Sequence, residues 1–310
     1  MTLFAPGKRP AFSLARFWAV VFKEFVQMRR DRLTFGMMIG IPLLQIVLFG
    51  YAINVDPKHL AAAVLLADNG PQGRTLLNTA LQNDFKGPFE FLAGQDSSID
   101  LRIHARYNPE AITQYNIVPG LMGVVLQMTM TVVTGLAITR ERERGTMETL
   151  LSMPTRPIEV MTGKIIPYIL VGYIQVLLIL SASYFLFQVP VAGNLLLLFA
   201  AALIFIIATL AVGITFSTVA QNQLQAVQMG WFFFLPSLLL SGFMFPFRGM
   251  PHWAQMVGEL FPLTHFLRIA RGILLKGNGL HDIIPEIWPI VLFIAFAMTV
   301  AVKRYRRTID

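Results

Sequence analysis

Six apolar runs, each close to the length of a membrane span, constrain the fold of this chain more than any other feature. Crossing a hydrocarbon core of about 30 Å takes roughly 20 mostly apolar residues. Only 14% of the 310 residues are charged, whereas soluble domains average about 25%. The sequence therefore predicts an all-α polytopic membrane protein with six transmembrane helices, at residues 35–53, 117–138, 165–187, 195–219, 226–245 and 287–302.

Basic residues near the ends of these runs predict the orientation of the chain, because lysine and arginine concentrate on the cytoplasmic side of membrane proteins. Seven of them lie before the first run, and four follow the last run. The segment 188–194 after the third run has none. Both termini are therefore expected in the cytoplasm. The first run is expected to remain as a helix, since it does not have the layout of a cleaved signal peptide.

Residues 1–34, which precede the first run, form a cytoplasmic tail with an amphipathic pattern. Apolar side chains recur at helical spacing, and basic and polar ones lie mostly on the opposite face, which is typical of a helix in the membrane interface. An ordinary packed surface helix is the alternative. The residues that carry the pattern are Phe17, Trp18, Phe22 and Phe25, followed by Arg29 and Arg30 at the membrane boundary.

Hydropathy falls over residues 54–116, between the first and second runs. Strand-like stretches at 61–67 and 89–92, a helical stretch at 75–81 and an alternating stretch at 99–104 predict a small α/β extracytoplasmic domain. About 60 residues make only a marginal independent domain. We therefore expect it to lean on the membrane-spanning helices or on a second copy of the chain.

Residues 246–285, before the last run, are too polar to cross the membrane and too apolar for a free loop. Prolines divide the segment into two short helical pieces, 252–261 and 263–275, and Gly277 is a plausible helix stop. This pattern predicts a re-entrant segment that dips into the outer leaflet. A helical hairpin lying on the lipid headgroups is the alternative.

A dense cluster of charge follows the second run, and we call residues 140–148 the charged segment. Gly145 interrupts the preceding helix, Thr146 suits the start of a new one, and Glu148 suits the positive end of its dipole. A short amphipathic helix at 141–153 is therefore predicted on the cytoplasmic side. It can transmit force between two spans, or the charges can simply anchor the topology.

The chemistry that the chain lacks narrows the classes of function. It has no cysteine, its five histidines lack a metal-ligand spacing, and no hydrolase motif is present. The predicted spans contain no Asp, Glu, Lys, Arg or His, which argues against an ion-coupled carrier. No phosphate-binding loop is present, so any energy from ATP must arrive through a separate subunit. The basic residues behind the net charge of +8 flank the apolar runs and therefore indicate the orientation of the chain in the membrane. No nucleic-acid partner is expected.

Several motifs resemble the type-2 ABC exporter permease family, and in particular its bacterial multidrug-type members. They are Arg140-Glu141-Arg142-Glu143-Arg144-Gly145-Thr146-Met147-Glu148-Thr149-Leu150-Leu151, Gly163-Lys164-Ile165-Ile166-Pro167-Tyr168, Val118-Pro119-Gly120, Gln221-Asn222-Gln223, Leu235-Pro236-Ser237, Pro262-Leu263-Thr264 and Arg271-Gly272. The likeness extends along most of the chain. It implies six spans, a connecting helix, a coupling helix and a broken re-entrant segment.

The resemblance also implies roles for particular residues. The coupling helix that docks on a separate ATPase would use Glu141, Arg142, Glu143, Arg144, Gly145, Thr146, Met147, Glu148 and Leu151. The connecting helix would use Phe17, Trp18, Phe22, Phe25, Arg29 and Arg30. Candidates for the translocation path, each of which can equally be a helix-packing residue, are Gln127, Thr131, Gln228, Phe232 and Phe233. The re-entrant segment would use Pro262, Thr264 and Arg271.

By the same resemblance, the chain is the permease of an ATP-driven exporter of hydrophobic or drug-like compounds in the bacterial inner membrane. It would have no catalytic residue, metal or cofactor of its own, because ATP and Mg would bind to the partner ATPase subunits. Two ATPases, a second permease copy, identical or related, and membrane lipids are the expected partners. Lipid extraction or signalling by such a complex is the alternative function, followed by an ion-coupled carrier.

One feature departs from the family pattern. The extracytoplasmic domain is considerably shorter than in members of this type, since residue 91 runs almost at once into the closing strand at 99. This shortening leaves the docking of a periplasmic adaptor protein, a frequent partner in the family, as an open question.

Overall fold

The computed structural model describes residues 13–30, 32–52, 113–143 and 157–307, and the regular structure in these ranges is helical. The helices are α1 (Leu14–Arg30), α2 (Arg32–Ala52), α3 (Thr113–Glu143), α4 (Pro157–Phe187), α5 (Leu195–Val219), α6 (Gln223–Leu240), α7 (His252–Gly258), α8 (Pro262–Arg271) and α9 (Leu280–Arg307). A 3₁₀ turn, Phe247–Gly249, precedes α7, and a π-helical turn, Gly272–Lys276, extends α8. Residues 54–112 of the predicted α/β domain lie outside the described residues. Its last four residues, 113–116, belong to α3.

Four helices in the described ranges are long and apolar enough to cross a membrane: Gln114–Arg140, Ile165–Phe187, Leu195–Val219 and Leu280–Arg304. The first predicted span coincides with α2, whose strongly apolar portion is the shorter stretch Ile39–Gly50. The fifth coincides with α6, an 18-residue helix. The count of six spans therefore stays a prediction for these two helices.

Several helix boundaries differ from those expected from hydropathy: α3 and α4 extend beyond the predicted spans, and the end of α6 and the start of α9 also shift. Helix α6 ends at Leu240 rather than at 245, because the chain turns at Gly242, which has a φ of 82°. Helix α9 begins at Leu280 rather than at 287 and continues through Pro285. Its early start is stabilised by Asp282, whose carboxylate accepts a hydrogen bond of 2.9 Å from the main-chain N–H of Gly279.

The long helices run alternately up and down, and local contacts define two ends of the bundle. At the Glu143 end, the end of α3 meets the start of α6. At the hairpin end, the start of α3, the end of α6 and the α7–α8 hairpin meet around Arg271. Helix α1 lies at the Glu143 end, since Val20 packs against Gly163 near the start of α4.

Helices α3 and α5 form the centre of the bundle, and α9 packs on the other side of α5. The contact between α3 and α5 is close, because a Cβ atom added at Gly213 would lie 2.7 Å from the main-chain oxygen of Thr131. Small residues allow membrane helices to approach in this way. The outward faces keep large apolar side chains exposed, including Leu44, Phe232 and Leu292, which suits a lipid surrounding rather than water.

The α8 helix is buried inside this bundle. Its side chains pack against α3, α5 and α9, and Phe266 stacks on Phe205 of α5 with ring centroids 4.3 Å apart. Leu263 and Phe266 are fully buried. The α8 helix is therefore a packed part of the bundle, and the depth of the α7–α8 hairpin relative to the lipid headgroups stays a prediction.

Candidate functional site

The charged segment begins inside α3, which includes Arg140 to Glu143. Glu143 is exposed on the last turn of this helix. The remaining predicted coupling residues lie outside the described residues, and so does the predicted break at Gly145. They are Arg144, Gly145, Thr146, Met147, Glu148 and Leu151.

Glu143 connects the end of α3 to the start of α6. One carboxylate oxygen accepts a hydrogen bond of 2.7 Å from the main-chain N–H of Gln223, the first residue of α6. The other accepts a bond from the Gln223 side-chain amide. These bonds, the side-chain one first, hold the pKa of Glu143 below its usual value. The first N–H groups of a helix have no partner within the helix, so an acidic side chain from α3 satisfies one of them and suits the helix dipole.

The turn before α6 is closed by its own residues as well. The side-chain oxygen of Asn222 accepts a bond of 2.8 Å from the N–H of Gln225. The side chain of Gln225 in turn accepts a bond of 2.7 Å from the N–H of Gln221. The start of α6 is thus a compact cap, and a displacement of Glu143 acts on an ordered helix end rather than on a loose loop.

Helix α1 packs against α4 with Val20 next to Gly163, and the predicted aromatic side chains of α1 differ in their exposure. Val20 and Val21 are buried, whereas Trp18 and Phe22 are 57% and 71% exposed. Phe17 and Phe25 are partly buried, and Arg29 and Arg30 lie in the last turn of the helix. Exposed aromatic side chains on an amphipathic helix are typical of insertion into the membrane interface.

The five path candidates fall into two groups. Gln127 and Thr131 are buried on α3, facing α6 and α5 respectively: Gln127 accepts a bond of 3.2 Å from Ser237, and Thr131 donates one of 3.4 Å to the carbonyl of Thr209. The amide nitrogen of Gln127 has no hydrogen-bond partner among the described residues.

The other candidates lie on α6. Gln228 and Phe232 point outward from the protomer, and Phe232 is 82% exposed. Phe233 points inward, where its ring contacts Phe216 and Phe261 with centroids 5.9 and 5.5 Å away. Within one protomer the structure therefore does not bring the five candidates together on one surface.

Arg271 joins three elements at the hairpin end. Its guanidinium donates bonds of 3.1 Å to the main-chain oxygens of Asn116, at the start of α3, and Gly242, after α6. Burial lowers the pKa of Arg271 to about 10. The other predicted hairpin residues have local roles, since Pro262 begins α8 and Thr264 donates a bond of 2.6 Å to the carbonyl of Gly258.

Sequence reasoning missed a group of four charged side chains at the hairpin, which we call the charged quartet: Glu259, His265, Arg268 and Glu286. Arg268 lies between the carboxylates, 2.6 Å from Glu259 and 3.4 Å from Glu286. His265 contacts Glu286 at 2.6 Å. The signal was obscured because the last span was expected from residue 287, one position after Glu286. Across residues 13–30, 32–52, 113–143 and 157–307, no three potential ligands converge as a metal site requires.

The sequence of the chain is similar to several known proteins. The family model described as "ABC-2 type transporter" matches residues 15–275. The chain is 28% identical to the "Probable multidrug ABC transporter permease YbhS" of Escherichia coli, over 87% of this chain and 91% of that protein. It is 29% identical to YbhR of the same description, over 95% and 99%. It is also 31% identical to the "Inner membrane transport permease YhhJ" of Escherichia coli, over 68% and 57%.

The alignment with YbhR extends over 364 positions, although this chain has 310 residues. YbhR therefore contains positions that have no counterpart here. The location of the missing positions in the predicted extracytoplasmic domain stays a prediction.

Proposed function

The chain belongs to the ABC-2 type transporter family and is a membrane subunit of an ABC transporter, and we propose that it exports hydrophobic or drug-like compounds. The cargo class is supported by the multidrug descriptions of YbhS and YbhR, and the outward direction by the resemblance of the motifs to type-2 ABC exporters. As a permease it has no ATPase domain of its own, so it works with an ABC ATPase subunit and a second permease. ATP and Mg would bind to that ATPase.

The contact between Glu143 and Gln223 is the observation that supports a mechanism for this proposal. Glu143 belongs to the charged segment, which would receive the force of ATP binding. Gln223 begins α6, which carries three of the five path candidates. Because both oxygens of Glu143 engage the first residue of α6, a displacement of the charged segment moves α3 and α6 together.

The translocation path would lie between two copies of the permease. The outward face of α6, with Gln228 and Phe232, would then contribute its lining, and the polar contact between Gln127 and Ser237 would adjust behind it. The buried amide nitrogen of Gln127, which has no hydrogen-bond partner in the described part of the chain, weakens the attachment of α3 to α6 and favours rearrangement at this contact.

In the proposed orientation the Glu143 end faces the cytoplasm of a bacterial cell, and the hairpin end faces outward. Basic residues after the last span support this assignment, because they include Lys303 and Arg304 at the Glu143 end of α9. Helix α1 would lie in the inner leaflet interface, with Trp18 and Phe22 among the lipids.

The test is reconstitution of the chain with its ATPase in lipid vesicles, with ATP hydrolysis and efflux of an amphipathic fluorescent dye measured together. We expect dye to stimulate hydrolysis and to be moved in proportion to it. Hydrolysis that responds only to lipid composition would favour lipid extraction instead. Transport that needs no ATPase and collapses with an ion gradient would refute the proposal.

A set of variants tests the Glu143 contact itself. Glu143→Ala removes both hydrogen bonds, whereas Gln223→Ala removes the side-chain bond and leaves the main-chain one. We therefore expect fewer dye molecules moved per ATP in both variants, with the larger loss for Glu143→Ala. If the two residues act through each other, the double variant loses no more than Glu143→Ala alone. Independent, additive losses would show that the contact does not transmit force.

The charged segment is tested separately by its binding to the ATPase. Glu148→Arg reverses a charge at the start of the predicted coupling helix. We expect this variant to reach the membrane but to co-purify with less ATPase than the wild type. Full co-purification together with unchanged coupling would contradict the assignment of 141–153 as the coupling helix.

A further inference from the structure

His265 is held between two hydrogen-bond acceptors. It is buried on α8, and its Nδ1 atom lies 2.6 Å from a carboxylate oxygen of Glu286 on α9. Its Nε2 atom lies 2.9 Å from the main-chain oxygen of Glu259, which ends α7. The imidazole therefore joins the two helices of the hairpin to the last long helix.

A neutral His265 imidazole next to an ionised Glu286 carboxylate has one proton too few for this geometry. A carbonyl oxygen only accepts hydrogen bonds, so Nε2 must carry a proton to bond Glu259. A neutral imidazole then has only a lone pair at Nδ1, and that lone pair would face a carboxylate oxygen. A contact of 2.6 Å between them is attractive only if a proton lies between the two atoms.

The surrounding charges make this extra proton favourable. The charged groups that face His265 are Glu286 from α9 and Glu259 from the end of α7, with Arg268 bridging both carboxylates from α8 itself. Arg268 also lies over the ring of Phe247, 4.6 Å from its centroid. With the proton, the charged quartet is neutral. Without it, the quartet has a net negative charge and loses the shorter of its two contacts between α8 and α9, the one from His265 to Glu286.

We propose that His265 and Glu286 form a proton-binding site that fastens the α7–α8 hairpin to α9. The proton sits between Nδ1 and the carboxylate oxygen. Its loss removes the His265–Glu286 bond and weakens the attachment of the hairpin to α9, which then rests on the Arg268–Glu286 ion pair and on apolar packing. Glu259, Arg268 and Glu286 are partly exposed, so protons can reach the site from the surface.

The direction of the pH response follows from the environment of the histidine. Burial by itself lowers the pKa of His265, but the hydrogen bond to Glu286, the bond to the Glu259 carbonyl and the two carboxylate charges outweigh it. The net pKa lies above the ordinary 6.5. A group with a raised pKa stabilises the folded arrangement at low pH and loses that effect as the pH rises through the raised value. The hairpin is therefore held more firmly to α9 at acidic to neutral pH and more loosely on the alkaline side.

The proton-binding site is inferred from the geometry alone. Which compartment's pH it responds to rests on the proposed function, because that proposal supplies the orientation in the membrane. In that orientation the hairpin end faces outward. Alkaline pH outside the cell would then loosen the hairpin, and export would change with external pH while the cytoplasmic pH is held constant.

The experiment measures the distance between the hairpin and α9 in the intact complex. The chain has no cysteine, so spin labels can be placed without background at Met256→Cys on α7 and Leu280→Cys on α9, both exposed positions. The distance distribution is recorded in lipid nanodiscs, without cargo or ATP, from about pH 6 to about pH 9, a range that starts near the ordinary histidine pKa. We expect a narrow distribution at low pH that shifts or broadens as the pH rises.

Two variants test the proton itself. In His265→Asn an amide N–H takes the place of the protonated Nδ1, and in Glu286→Gln an amide donates to the neutral imidazole. Both keep a hydrogen bond without a titrating proton, so we expect both distributions to be independent of pH. The control is His252→Asn, which replaces an exposed histidine on α7 and should keep the wild-type response.

A wild-type distribution that does not change over this pH range would overturn the proposal, as would either variant responding like the wild type. Should His265→Asn fail to fold, Glu286→Gln decides alone. Because no transport is measured, failure of the export proposal leaves this result intact, and the reverse also holds.

Discussion

Replacing Gly213 with alanine should separate the two central helices of the bundle. A Cβ atom at this position would lie 2.7 Å from the main-chain oxygen of Thr131 and 2.9 Å from the Cβ atom of Thr134. Carbon and carbonyl oxygen rarely approach closer than about 3.3 Å. A main-chain oxygen cannot rotate away, so α5 must move by about half an ångström from α3.

The size of the effect follows from two opposing contributions. Overpacking of this kind costs about 1–3 kcal/mol, whereas alanine is favoured over glycine inside a helix by about 1 kcal/mol. Gly230→Ala is the matched control, because a Cβ atom there meets only Val132 at 3.4 Å, an ordinary contact with the end of a side chain. The difference between the two variants cancels the helix preference. It should therefore be about 1–3 kcal/mol, with Gly213→Ala the less stable.

Thermal unfolding in detergent, followed by tryptophan fluorescence, measures this difference. The chain has four tryptophans and no cysteine, so thiol-reactive dyes would give no signal. Each kcal/mol shifts Tm by about 2–4 °C in chains of moderate size. Equal Tm values for the Gly213 and Gly230 variants would refute the close contact between α3 and α5.

Three further substitutions probe the hairpin end by the same unfolding assay. Arg271→Met leaves two main-chain carbonyls without their donor and should destabilise the fold by about 1–3 kcal/mol; unchanged stability would contradict its bridging role. Gly277→Ala forces a side chain onto a residue with a φ of 70° and should cost about 1–2 kcal/mol, whereas Gly279→Ala should cost less. Phe266→Ala removes a buried stacked ring and should cost about 3–5 kcal/mol; Phe296→Ala, at a 65% exposed position, should cost little, and equal losses would argue against the stack.

Hydropathy predicted the long helices well, because a continuous apolar run in a membrane can satisfy its main-chain hydrogen bonds in few structures other than a helix. The runs at 165–187 and 195–219 coincide with candidate spans in the structure. Predictions were weaker where a helix extends past its apolar stretch. Helix α9 starts at Leu280, and its first two turns are polar enough to resemble the preceding loop, so Glu286 was assigned to the wrong side of the boundary.

The residues that form the charged quartet and the Glu143 contact were visible in the sequence, but their pairing was not. Glu143 and Gln223 are separated by 80 positions, and only the antiparallel packing of α3 and α6 brings them together. The same reason explains the contact of Gln127, a candidate for the translocation path, with Ser237, 110 positions away; its place in the path stays a prediction.

The sequence by itself determined that this chain is a helical membrane protein, where its helices run and that its motifs belong to an ABC-type permease. Those properties depend on local hydropathy and on short motifs, which can be read along the chain. Only the tertiary structure decided which polar groups meet. Whether two polar groups form a hydrogen bond or share a proton depends on differences of a few tenths of an ångström in the distance between them. When the groups lie on helices that are far apart in sequence, the packing of those helices sets that distance.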